Sequence, residues 1–207
     1  MKRTKMSGKR GRAADVGLLA LRVGAGSMMA AHGAQKLFGA FQGPGLDGFA
    51  GFLSSMGLKP AKQWAALGGF SEFGGGTLLA LGAGGPVGPI MMQGAMITAA
   101  RRAHWKLPIW VTSGGAEAPL LYGLIGLMVA TNGPGRYSLD HALGINVPRG
   151  VSVATLLGVA AGLGVAELQV AAAKRAAASD EDNSSDDAPM AQIEEIGATD
   201  SAAAADD

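Results

Sequence analysis

The sequence predicts an all-α transmembrane bundle of four core helices, with a fifth apolar run at its C-terminal side. Three observations point there. Only 16% of the 207 residues are charged, against roughly 25% in an ordinary soluble domain. The charges are segregated: residues 1–12 carry six bases and no acid, residues 179–207 carry ten acids and no base, and the 166 residues between them carry eleven bases and six acids. That middle is built of apolar runs close to bilayer length, separated by short Gly/Pro-rich breaks. Such a pattern is that of a chain whose solvent is lipid. The chain has no Cys, which excludes a disulfide framework, a thiolate metal site, an iron–sulfur cluster and a thiol nucleophile. The basic start is too short to be a nucleic-acid domain.

Residues 1–12 form a basic arm. The apolar stretch Ala13–Phe38 is long enough to span a bilayer with tilt, at ~1.5 Å per residue. A cleaved signal peptide shares the basic start, but Arg22 in mid-run argues against it. In the connection 40–63, Leu46, Phe49, Leu53 and Met56 recur at helical spacing, as in a short helix lying in the membrane interface with Trp64 at headgroup level. Trp64–Gly82 is the second span, and 84–89 a tight Gly/Pro turn. Val87–Ala103 is the third, closed by Arg101, Arg102, His104 and Trp105. Ala116–Thr131 is the fourth and shortest, with Pro119 suited to a first helical turn. A polar loop runs to Arg149, so the core is 13–149. A fifth run, Val151–Ala173 within 150–178, precedes an acidic, Ala/Ser-rich tail, 179–207, that reads as disordered. The basic arm places the N-terminus in the cytoplasm of a multi-pass plasma-membrane protein. Arg101, Arg102 and Lys106 would then lie outside, which a functional pocket on that face would explain.

An ionisable group inside a bilayer costs several kcal/mol if unpaired, so each one is a functional candidate (about 3 kcal/mol on insertion scales). On the first helix Asp15, Arg22, His32 and Lys36 fall within one arc of about 100°, together with Gly26, Met29 and Gly33. That stripe must face the bundle interior. Glu72 in the second span lies between Gly68-Gly69 and Gly74-Gly75-Gly76, which permit close helix approach. Depth counting puts Glu72 within reach of Arg22 or of the His32/Lys36 group, so an ion pair is expected with one of them. A pair that merely fixes helix register is the bland alternative. His104 and Glu117 belong to the same outer end, so the candidate cluster is Arg22, His32, Lys36, Glu72, Arg101, His104 and Glu117.

These residues suit a quinone, whose carbonyl oxygens need a His or Glu and whose tail needs an apolar slot. Haem is disfavoured, because two facing neutral imidazoles are hard to keep among so many bases. A proton or anion path could use the same residues as a relay. Met91, Met92 and Met96 read as packing. His141 reads as a solvated loop residue. Gly24-Ala25-Gly26 lacks the strand and third glycine of a nucleotide fingerprint. Gly158 and Gly162 form a small-xxx-small pattern suited to helix packing. No metal site is read.

An ordered series of motifs carries a resemblance. Arg22-Val-Gly24, His32-Gly33-Ala-Gln-Lys36-Leu37, Glu72-Phe-Gly74-Gly75, Met96 with Arg101 and His104, Gly115-Ala-Glu117, and Gly133-Pro-Gly135-Arg-Tyr-Ser138-Leu139-Asp140 together resemble the DoxX family of small membrane proteins. The resemblance runs from about Asp15 to Leu143. It implies a four-helix protein of the plasma membrane, linked to quinone-dependent redox complexes, and carries over no catalytic residues. The expected role is therefore a subunit or scaffold of a membrane redox assembly, accessory rather than catalytic. Its partners would be the lipid bilayer and redox-enzyme subunits, or a second copy of itself. A small transporter or channel is the alternative.

Overall fold

The computed structural model describes residues 11–186, and among these every regular element is helical. The helices are α1 (Arg12–Phe38), α2 (Gly45–Ser55), α3 (Ala61–Leu81), α4 (Val87–Thr98), α5 (Glu117–Asn132), α6 (Leu139–Leu143) and α7 (Arg149–Asp186). A π-helical turn, Ala99–His104, extends α4. The chain divides into two compact units at 169/170.

Glycine decides which helices touch. A methyl built on Gly26 would lie 2.5 Å from the Ala80 amide nitrogen and 2.6 Å from the Gly76 carbonyl oxygen. One on Gly76 would lie 2.5 Å from the Ala30 nitrogen. One on Gly33 would collide with the Phe73 backbone. Thus α1 and α3 pack antiparallel, backbone against backbone, as small residues permit where lipid supplies no hydrophobic drive. The next glycine, Gly75, turns to α4, against Gly88 and Met92. Beyond it, Gln93 Nε2 donates to the Gly123 carbonyl at 3.0 Å and fixes α5 against α4. Leu18, Ala25, Met29, Leu79, Met92, Met96 and Val129 fill the core between these helices.

The buried face of α1 is Asp15, Leu18, Arg22, Ala25, Gly26, Met29 and Gly33, the helical spacing the sequence implies. Many of the large apolar residues lie outward, among them Val23, Met28, Phe70, Leu124, Leu127, Leu156 and Leu157. Such a surface suits lipid. By length and composition two helices, Arg12–Phe38 and Arg149–Asp180, are long and apolar enough to cross a membrane.

Two sequence expectations shift here. The third apolar run does not stay α-helical to Ala103: it changes to a π turn at Ala99. The last helix continues to Asp186, eight residues into the segment read as disordered. The Ala-rich stretch 171–178 has high helix propensity, and extending an existing helix is far easier than nucleating one. Residues 1–10 of the basic arm and 187–207 of the acidic tail lie outside the described residues.

Candidate functional site

At one end of the bundle the α3 C-terminus turns through Gly82, whose φ of +65° and close neighbours exclude any side chain: a methyl there would meet Arg22 and Ser138. The Gly82 amide donates to Leu79 and the Ala83 amide to Leu78, which closes the helix. Arg22, 1% exposed, donates to the Leu79 and Ala80 carbonyls at 3.3 Å each and to the Tyr137 carbonyl. A cation at a helix C-terminus also complements the helix dipole. Asp140 accepts from the Gly84 and Gly85 amides at 3.0 and 2.6 Å, and Ser138 caps α6 by accepting from the His141 amide at 3.2 Å. The loop motif 133–140 therefore plugs this end and binds the α3–α4 turn. Arg22 does not meet Glu72; its partners are backbone carbonyls, one of them 115 residues away in sequence.

At the opposite end, Glu72 pairs with Lys36, the second of the two partners the depth argument allowed. The Glu72 side chain is 3% exposed and that of Lys36 26%. Lys36 Nζ also stands 5.0 Å above the Phe49 ring, so α1, α2 and α3 converge on it. Lys36 binds one carboxylate oxygen, Oε1. The other, Oε2, is buried and has no hydrogen-bond partner among the described residues. A buried acceptor without a donor costs about 1–3 kcal/mol.

Glu72 lies on the wall of a cavity of about 820 Å³ bounded by α1, α2, α3, the α4–π helix and α7. Its charged lining residues are Lys36, Glu72 and Arg102, and Gln35, Ser71, Thr98, His104 and Thr155 add polar groups. The remainder is mainly apolar and includes Phe49, Phe52, Leu53, Trp64, Leu67 and Met91. Thr98, Ala99, Arg102, Ala103 and His104 all line this cavity, and the first four continue the face begun by Gly94 and Ala95 at the spacing of one helix side. His104 Nδ1 hydrogen-bonds the Gly114 carbonyl, which fixes the ring.

The seven sequence candidates thus separate. Lys36, Glu72 and His104 share the cavity. Arg22 belongs to the opposite end. His32 is exposed; it lay at the edge of the predicted stripe, and the buried arc stops short of it. Arg101 is exposed at the rim, 3.7 Å from Glu167. Glu117 accepts from the Val111 amide at 2.8 Å and folds the 111–117 loop. Sequence reasoning passed over Arg102 and Glu167 as a pair. They meet at 2.6 Å and tie α7 to the π turn. The signal was present, because Glu167 is the only acid in the fifth apolar run.

The DoxX family model matches residues 17–105, which cover α1 to the π turn and carry Lys36, Glu72, Arg102 and His104. No curated protein and no solved structure matches this chain.

Proposed function

We propose, from the premise that this chain is a DoxX-family membrane protein, that it is a multi-pass accessory subunit of a plasma-membrane redox assembly and binds a quinone-type lipophile in the cavity at Glu72. The observation that carries this reading is the free Oε2 of Glu72 on the wall of a large, mainly apolar cavity. A quinone supplies two-electron, two-proton redox chemistry when bound. Glu72 Oε2 offers an acceptor to a ring hydroxyl, so the reduced, hydroxyl-bearing form fits it better than the oxidised form. Lys36 holds Oε1 and with it the orientation of the carboxylate. Arg102, steadied by Glu167, supplies a donor for a second ring oxygen. Phe49, Trp64 and Met91 exclude water from the remainder of the cavity. We assign the electron partner to another subunit of the assembly.

A transporter needs a polar route between the two ends, and the α1–α3 contacts oppose one. Between Arg22 and Glu72 the two backbones touch at Gly26, Gly33 and Gly76, leaving no gap for a relay there.

Purification into nanodiscs from native membrane, followed by lipid extraction, tests the assignment. Wild-type protein should retain quinone. Glu72→Gln should retain about tenfold less, since a hydrogen bond to a charged group contributes about 1.5–3 kcal/mol. Glu117→Gln, outside the cavity, should retain the wild-type amount. Wild-type protein free of quinone, or equal retention in Glu72→Gln, would sink the reading.

A further inference from the structure

The family match ends at residue 105, yet one wall of the cavity comes from beyond it. Thr155, Gly158, Val159, Gly162, Leu163 and Ala166 of α7 line the cavity at helical spacing. The opposite face of the same helix, with Val153, Leu156, Leu157 and Val165, is exposed and apolar, as a lipid-facing surface would be.

Small residues on a membrane helix normally let two backbones approach, as Gly26, Gly33 and Gly76 do. Gly158 and Gly162 behave otherwise. A methyl on either would meet nothing within 4 Å. The helix is held in place by neighbouring contacts instead: Val159 against Gly94, Glu167 on Arg102 at 2.6 Å, and the Trp64 indole donating to Gln169 Oε1 at 2.9 Å. Both glycines line the cavity, Gly162 half-buried and Gly158 exposed, whereas Gly164 does not, and neither puts a side chain into the space between the anchored points. From Thr155 to Ala166 that space runs about 16 Å along the helix axis. Protein interiors are close-packed, and about 820 Å³ lies in the upper part of the range for ligand cavities. The charged lining residues are Lys36, Glu72 and Arg102, with the unpartnered Oε2 of Glu72 among their atoms.

We propose that α7 converts the family-type core into a slot for one long unbranched or isoprenoid tail, with Gly158 and Gly162 as the residues that set its width. The slot rests on the quinone reading for the identity of the headgroup but not for the tail. Its ligand class is a hydroxyl-headed lipophile whose polar end lies at Glu72 and Arg102 and whose tail lies along α7.

The test uses the full chain in nanodiscs and three probes: a benzoquinol bearing a long isoprenoid tail, the same quinol without a tail, and an isoprenoid alcohol without a ring. The variants are Gly158→Leu, Gly162→Leu and, as a control, Gly164→Leu, which lies on the exposed face of the same helix. Leu is the better helix former, so all three should fold. The expected result is affinity for the tailed quinol lowered about tenfold or more by Leu at 158 or 162. The control should match wild type, and binding of the tail-less quinol should not change. Wild-type binding of the tailed quinol that is indifferent to Leu at both positions overturns the slot and leaves the quinone reading standing. Binding of the alcohol but of neither quinol, abolished by Gly162→Leu, upholds the slot and removes the quinone. Binding of no probe overturns both.

Discussion

Substituting Gly33 by Ala should separate α1 from α3 and, with them, Lys36 from Glu72. A methyl at Gly33 would stand 2.6 Å from the Phe73 Cα and 2.7 Å from its Cβ. Ordinary carbon contacts need about 3.5–4.0 Å, so one backbone must retreat by about 1 Å. Phe73 Cα is main chain and cannot rotate aside. Overpacking of this kind costs about 1–3 kcal/mol, occasionally more. Gly24 on the same helix provides the control: a methyl there meets nothing within 4 Å, and Gly→Ala in a helix gains up to about 1 kcal/mol. The two substitutions are chemically identical and nine residues apart, so they should move stability in opposite directions. With about 2–4 °C per kcal/mol for a chain of this size, thermal unfolding in detergent should show Gly33→Ala lowered by several degrees and Gly24→Ala level or raised. Because Glu72 adjoins Phe73, ligand retention should fall in Gly33→Ala as well. Equal stability of the two variants would show that α1 and α3 do not pack backbone to backbone, and the positioning of the Lys36–Glu72 pair would lose its basis.

Arg22→Met should destabilise the protein by about 3 kcal/mol or more, since three carbonyls lose a charged donor. Limited proteolysis within 133–148 should rise with it; an unchanged cleavage pattern would count against the plug. Lys36→Met should be more damaging than Lys36→Met combined with Glu72→Gln, because removing one partner strands a buried charge. A thermal double-mutant cycle reads the difference, and additive losses would deny the pair. The proposed orientation puts Ser113 on the side opposite the N-terminus, so an enzyme reporter fused there should read non-cytoplasmic, and cytoplasmic activity would reverse the topology.

Much of the first helix was legible in the sequence because burial there follows a single period. Asp15, Arg22, Gly26, Met29 and Gly33 all lie on the buried face. Periodicity gives the direction of a face but not its width, and for this reason His32, at its margin, proved exposed. The glycines of α3 were legible as sites of close approach. Which neighbour each one meets was not, because Gly75 and Gly76 are adjacent yet face different helices. The π turn had no signal at all. Even so, Arg102 continues the face of Gly94, Ala95, Thr98 and Ala99 that lines the cavity and Arg101 does not, a distinction that helical spacing alone carries. Arg22 was one of two partners the sequence allowed Glu72, because charge invites charge. Its real partners are carbonyls, a type of acceptor that every residue carries and no composition reveals.

That difference in partners separates the two charged ends by function. At the Arg22 end, Arg22 meets Leu79, Ala80 and Tyr137, and Asp140 meets Gly84 and Gly85. Both Nη atoms of Arg22 and both carboxylate oxygens of Asp140 go to backbone groups, while Arg22 Nε is buried without a partner among the described residues. They hold the α3–α4 turn to the 133–140 loop. At the other end Glu72 is bound by one side chain only, on one oxygen, with an open volume beside it. Gly158, Gly162 and Arg102 line the same cavity. In the proposed reading the Lys36–Glu72 pair is the part of the bundle that receives a ligand, while the Arg22 and Asp140 hydrogen bonds tie the α3–α4 turn to the 133–140 loop.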